Sequence, residues 1–264
     1  LEEYTMPEDR DGILFTNIIK RTNNVPSILL GFDFNKLAIE GLFRKIIARY
    51  DDPVYARDEY DQDDYMLTAY WHAFTKTDIL LELNLSKIEY ELPGRDGDYG
   101  QIMAGLKGQI TSKIEGAIKA GYQDRTYKDS DEKYDEAVFE IDALWKISED
   151  KTMDIKYLKT AKESLILGNN YYKVNRIYLD YSKNNPIRGI LYGAGGFYEN
   201  DDFPFTDNST LREDDVFMIF VSAGFRFNSW LTLQAKYRYL DRNSNYDEQD
   251  YQQNVITCFA TLQL

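Results

Sequence analysis

From about residue 64 to the end of the chain, apolar and polar residues alternate with period two. That pattern sorts side chains to the two faces of a β-strand and is incompatible with an amphipathic helix, whose apolar residues recur at i, i+3 and i+4. Tyr65, Leu67, Ala69, Trp71 and Ala73 share one face, and Ile79, Leu81, Leu83 and Leu85 share the next. Ile102 to Ile110, Ile114 to Tyr122, Ala137 to Ile147, Phe217 to Phe227, Leu231 to Tyr239 and Ile256 to Leu264 repeat it. Before residue 60 the expected strands are Gly12–Lys20, Ser27–Asn35 and Leu37–Tyr50, with Lys45 and Arg49 on the face of Ile39 and Phe43.

The connections alternate too. Short polar turns fall near residues 36, 76, 112, 149, 185 and 229, at spacings of 40, 36, 37, 36 and 44, and each interval holds two strands and one longer loop. The expected long loops are acidic. Residues 51–64 hold seven acids, among them Asp51, Asp52, Asp61, Asp63 and Asp64, and residues 199–215 hold seven more against Arg212 alone. Segments 128–136 and 241–250 continue the trend.

No run approaches the roughly 20 apolar residues of a membrane helix, but a transmembrane β-strand needs only about 9–11 residues and hides its apolar face by alternation. A soluble sandwich also has one apolar face. Three features favour the membrane: strands of roughly 11–15 residues, longer than the usual five or six; short turns at one end and long polar loops at the other; and aromatic residues at the strand ends, as in interfacial girdles. The girdle set is Tyr65, Trp71, Tyr90, Tyr99, Tyr122, Tyr127, Trp145, Tyr172, Trp230 and Tyr239. The expected fold is therefore an all-β, antiparallel outer-membrane β-barrel of about 14 strands in a single domain, residues 1–264. Its short turns would be periplasmic and its long acidic loops extracellular. The chain starts at Leu1 without a basic n-region or apolar h-region, so any secretory signal is expected to have been removed or left out.

Composition limits the chemistry. The net charge of −14 argues against a nucleic-acid partner, whose affinity rests on neutralising phosphates. One Cys and one His exclude a disulfide framework and leave little for a metal site. No cofactor, metal or catalytic residue is expected. His72 has no local nucleophile signature, and a solvated surface explains the acidic loops better than a cation site, since no EF-hand spacing occurs.

The face opposite the apolar one is the expected lumen lining. It carries Lys107, Lys119, Arg125, Lys146, Lys156, Arg176, Arg188, Arg226, Lys236 and Arg238 against Glu82, Glu115, Glu140, Asp142, Asp154 and Asp180. It reads either as a positively biased path for an anionic or hydroxyl-rich solute, or as cross-strand ion pairs that stiffen the wall. Tyr70, Tyr90, Tyr192 and Tyr198 are candidates for stacking on sugar rings or for girdle packing. Gly189, Gly193, Gly195 and Gly196 would either bend one strand or admit a close neighbour. Cys258 is expected on the lipid face.

The C-terminal hairpin carries a resemblance. Trp230-Leu231-Thr232-Leu233, then Tyr237-Arg238-Tyr239-Leu240-Asp241-Arg242-Asn243-Ser244-Asn245, then Asp250-Tyr251-Gln252-Gln253-Asn254-Val255 closely resembles the last hairpin of the Putative beta-barrel porin 2 family. The Thr75-Lys76-Thr77-Asp78 turn and the Tyr- and Asp-rich loops are similar to its earlier hairpins. The resemblance implies an outer-membrane barrel for polysaccharide export or a related porin role. It also implies partners: outer-membrane lipid and lipopolysaccharide, periplasmic export machinery, and a polysaccharide as transported substrate. It supplies no catalytic residue. The chain is short for that family and ends in Leu264 where a terminal Phe is commoner, so N-terminal strands are expected to be incomplete. A structural barrel scaffolding a surface or electron-transfer complex, and a general diffusion porin, stand as alternatives.

Overall fold

The computed structural model describes residues 21–51, 53–91, 94–128, 130–164, 169–185, 189–204, 211–246 and 249–262. Its strands are β1 (Arg21–Asn24), β2 (Ser27–Asp33), β3 (Leu37–Tyr50), β4 (Tyr60–Trp71), β5 (Thr77–Tyr90), β6 (Gly97–Gln109) and β7 (Ile114–Tyr127). They continue as β8 (Lys133–Ser148), β9 (Lys151–Glu163), β10 (Tyr171–Asn185), β11 (Ile190–Phe203), β12 (Arg212–Arg226), β13 (Leu231–Ser244) and β14 (Tyr251–Leu262). One 3-10 turn, Pro53–Asp58, joins β3 to β4, and no α-helix occurs among the described residues. The strand expected at Gly12–Lys20 lies outside them.

All fourteen strands belong to one sheet whose order follows the chain, β1-β3-β4 through to β14, with β2 also paired to β3. The first lane is shared. Arg21 faces Tyr50 and Ser27 faces Arg44, a single register interrupted at Val25-Pro26. Pro26 has no N–H to give the ladder, but its carbonyl still accepts the Lys45 N–H at 3.0 Å. Fourteen strands thus occupy thirteen lanes.

Five of the six expected short turns lie wholly among the described residues, and three of them are held by their own polar side chains. Asn35 sits at φ 68°, and its N–H donates to Asp33 Oδ1. Thr111 Oγ1 accepts the N–H groups of Lys113 and Ile114, and Asn228 Oδ1 accepts those of Trp230 and Leu231. At the opposite end the acidic segments are shorter loops than expected. β4 begins at Tyr60, β11 runs to Phe203, β12 begins at Arg212 and β13 runs to Ser244, so many of the expected loop acids are strand residues.

Contacts divide the chain into two units. The first comprises residues up to Lys107, Lys119–Phe139 and Thr160–Tyr172; the second comprises Gly108–Ile118, Glu140–Lys159 and Lys173–Leu264. Within the second, Phe217, Ile219, Val221, Phe225 and Phe227 stand exposed in a row with Ala223. At about 3.4 Å per residue and a tilt of about 40°, that row is about 26 Å tall, the height of the lipid-facing band of a barrel. Within the first, the band ends sharply. Phe43 packs on Tyr65 at 5.2 Å between ring centroids, and the next pair on the same face is Lys45 with Asp63, 3.6 Å apart. The opposite face is not uniformly polar, contrary to expectation. The first unit buries Met103, Tyr127, Tyr134, Val138, Ala161 and Tyr171 together. The second buries Val216, Met218, Phe220 and Leu240, with Tyr178, Phe197 and Tyr251 against them.

Candidate functional site: the polar face of the sheet

In the first unit the polar face carries a charged network next to its apolar cluster. Arg125 is 6% exposed, and its Nη1 meets Glu163 Oε1. Its Nη2 donates to the Ala161 carbonyl at 2.7 Å, and its guanidinium lies 4.6 Å from the Tyr99 ring centre. Tyr127 Oη donates to Glu163 Oε1 at 3.3 Å, and Gln123 Oε1 accepts the Ala161 N–H at 3.1 Å. Arg95 bonds Asp58 at 3.2 Å and lies 4.6 Å over the Tyr90 ring. Lys119 pairs with Glu82 at 3.3 Å. Lys107 reaches Tyr70 Oη at 3.4 Å, while that hydroxyl donates to Glu40 at 2.9 Å.

The second unit centres on Asp214, fully buried between two arginines. Arg212 Nη2 is 2.6 Å from Asp214 Oδ2, and Arg242 Nε donates to the same oxygen at 3.0 Å. Arg176 forks onto Glu199, with Nη2 to Oε1 at 2.7 Å. Lys146 pairs with Glu115 at 2.6 Å and Lys156 with Asp142 at 3.5 Å, both pairs about half exposed. Lys236 stands 3.6 Å above the Phe220 ring centre, and Arg238 donates to Gln253 Oε1 at 3.3 Å. Arg226 ends β12 with an exposed side chain, and Glu140 lies on β8, partly buried. Arg188 lies outside the described residues.

These contacts divide the ten expected lumen cations. Lys119, Arg125, Lys146, Lys156 and Arg176 each hold a carboxylate, which is the wall-stiffening arrangement. Arg125 is also too buried to line open water, a correction to its expected place. Lys107, Lys236 and Arg238 rest on neutral groups instead.

Other expectations need correcting. Asp61, Asp63 and Asp64 lie on β4, not in a loop: Lys45 pairs with Asp61 at 3.2 Å, Arg49 with Asp61 at 2.7 Å, and Arg44 with Asp64 at 2.6 Å. Asp52 lies outside the described residues. Of the girdle set, Tyr65, Trp71, Tyr122, Trp145 and Trp230 are exposed, whereas Tyr90, Tyr127 and Tyr172 are buried. Tyr192 and Tyr198 are exposed and pair in register with Ala223 and Phe217 of the apolar face, so they are not placed to stack on a solute in the lumen. Among the glycines, Gly195 admits a close neighbour: a Cβ there would lie 2.4 Å from the Leu179 carbonyl and 2.7 Å from the Phe220 ring. Cys258 is exposed, as expected. The Arg212–Asp214–Arg242 triad and Glu163 were missed, because acids at strand ends read as loop.

His72 sits in the turn after β4, with Nδ1 2.8 Å from Asp78 and Nε2 3.9 Å from Asp33. The hydrogen bond to Asp78, reinforced by the charges of Asp78 and Asp33, holds its pKa above the ordinary 6.5. A raised folded-state pKa favours the fold below the ordinary value, and the contribution is lost as pH rises through the folded one. The midpoint of the one imidazole, followed by NMR in detergent micelles, is expected above 6.5 and should fall toward it in Asp78→Asn. An unmoved midpoint would show that the pair does not form.

An apolar face of membrane height, backed by an ion-paired polar face, is the arrangement of a transmembrane barrel wall, and the family match agrees with it. The model of the Putative beta-barrel porin 2 family matches residues 60–264. The chain belongs to that family. Among solved structures, the ferric yersiniabactin uptake receptor FyuA from Yersinia pestis superposes with a TM-score of 0.53 at 11% identity, over 87% of this chain and 44% of that one. The ferric citrate transporter FecA matches with a TM-score of 0.37 at 12% identity, over 93% and 39%. A loop L8 deletion form of OmpT, an outer membrane protein of Vibrio cholerae, matches with a TM-score of 0.40 at 9% identity, over 92% and 97%. This family member spans less than half the length of FyuA and FecA. No curated protein matches its sequence significantly. It is an outer-membrane β-barrel protein of antiparallel transmembrane strands, and its place is the bacterial outer membrane.

Proposed function

We propose that the chain is a passive conduit for an exported polysaccharide or related polymer, without catalysis of its own, served by partners on the periplasmic side. The observation that supports this most directly is the polar face, where neutralised ion pairs and amide or hydroxyl side chains offer a wettable wall opposite the apolar face. A wall of this kind suits a hydroxyl-rich chain, which exchanges its water for weak polar contacts at little cost. His72 is a turn-end ion-pair partner in this reading, not a general base.

Purified protein in planar bilayers is expected to give stepwise current, and liposomes carrying it should swell in oligosaccharides as well as in monosaccharides. Swelling in monosaccharides alone would favour a general diffusion porin. Absence of current from folded protein would overturn the conduit and leave a scaffolding barrel.

A further inference from the structure

The chain holds 45 acids and 31 bases, yet one stretch of the sheet in the second unit has no acid at all. Neither residues 190–198 of β11, nor 216–226 of β12, nor 231–240 of β13, nor any of β14 includes an Asp or Glu. The same stretch holds three cations, Arg226, Lys236 and Arg238. All three fall on the polar face. In the β12–β13 register Arg226 faces Thr232, Lys236 faces Ser222 and Arg238 faces Phe220, while Val221, Phe225, Leu233 and Tyr237 point to the other side. From Thr232 to Arg238 the strip runs about 20 Å at about 3.4 Å per residue.

Their neighbours are neutral: Lys236 lies on the Phe220 ring, and Arg238 touches Gln253. The acids of this unit's polar face lie elsewhere and are engaged. Asp142 holds Lys156, Glu199 holds Arg176, Asp214 holds two arginines, and Asp180 accepts the Tyr178 hydroxyl. Asp154 lies within the fields of Lys156, Asp180 and Asp142. In this row Arg226 is exposed, whereas Lys236 and Arg238 are half-buried and partly desolvated without a counter-charge, which is unfavourable for folding alone. The same row is a sound arrangement for a path that exchanges anionic groups.

We propose that Arg226, Lys236 and Arg238 form the contact strip for an anionic solute, so that the transported polymer carries carboxylate or other acidic groups. This deepens the conduit reading and rests on it. Two neighbouring cations with about 7 Å between them suit acidic groups repeating along a chain, and the Phe220 ring and Gln253 amide beside them suit the intervening sugar surface.

The test is ion selectivity and block in planar bilayers under a potassium chloride gradient. Wild-type protein is expected to prefer chloride over potassium, and polygalacturonate should block its current where neutral dextran of the same length does not. Lys236→Gln with Arg238→Gln, its folding checked by heat-modifiable gel mobility, should lower the chloride-to-potassium permeability ratio by about threefold or more and relieve the block. A cation-selective wild type, equal block by dextran, or a double variant with unchanged ratio would each overturn the strip while leaving a conduit. The wild-type comparison of the two polymers needs no variant, so it decides the matter even if the variant fails to fold. No current from folded wild type overturns the conduit itself.

Discussion

Asp214→Ala is expected to destabilise the folded protein by about 3–5 kcal/mol, the largest effect of any single change on the polar face. Asp214 is fully buried, and Arg212 and Arg242 aim four hydrogen bonds at its carboxylate apart from the closest contact. Removing it leaves two guanidinium groups, each about 4% exposed, side by side without a counter-charge. Their repulsion and desolvation then add to the lost bonds. The same guanidinium groups also lie over aromatic rings, Arg212 Cζ 4.7 Å from the Phe203 centroid and Arg242 Cζ 6.0 Å from that of Tyr251. The measurement is the urea midpoint for unfolding in detergent, followed by tryptophan fluorescence. Asp214→Asn should fall between wild type and Asp214→Ala, because the amide oxygen still accepts. Replacing all three residues by leucine should recover part of the loss by removing the stranded charge. If Asp214→Ala shifts the midpoint by less than the equivalent of about 1 kcal/mol, the triad is a surface pair in effect and its burial is wrong.

The sequence makes some of this legible and hides the rest for physical reasons. The β4–β5 hairpin is plain in it, because Tyr65, Leu67, Trp71, Leu81, Leu83 and Leu85 keep period two and Thr75 to Asp78 supply a turn. The end of that hairpin is not plain. Asp61, Asp63 and Asp64 look like loop because three acids in four residues avoid strands on average. Their counter-charges, Lys45, Arg49 and Arg44, stand on a strand whose register the sequence alone does not fix. Tyr90 reads as girdle by its position at a strand end and as a stacking candidate by its parity, which opposes Leu81, Leu83 and Leu85. Parity is the stronger signal there, and the structure buries it on the polar face. The lumen cations show the same limit. Alternation puts Lys119 and Lys236 alike on the polar face, but only the structure reveals that Lys119 holds Glu82 while Lys236 rests on Phe220. Membership of the family rests on the match over residues 60–264, and the C-terminal hairpin that carries the resemblance is visible in the chain. The separation of spent from unspent charge is a three-dimensional fact.

Arg125→Met is expected to cost about 2–4 kcal/mol, less than Asp214→Ala because the stranded partner is less buried. The Arg125 side chain is 7% exposed and that of Glu163 22%, so some water reaches the carboxylate once the guanidinium has gone. Tyr127 Oη still donates to it, which limits the loss further. The Ala161 carbonyl loses its Arg125 donor but keeps its place beside Gln123. Arg125 Nε has no hydrogen-bond partner among the described residues, so the guanidinium is itself incompletely satisfied. That makes the pair a weaker contributor than its contacts suggest. Arg125→Met with Glu163→Leu should therefore lie within about 1 kcal/mol of wild type, as apolar replacements of buried pairs often do. A double-mutant cycle built on urea midpoints gives the coupling directly. Strong coupling, with each single variant poor and the double variant near normal, is the expected pattern. Additive losses from the two changes would mean that Arg125 and Glu163 do not act on each other, and that β7 and the end of β9 are held by Gln123 and the aromatic cluster alone.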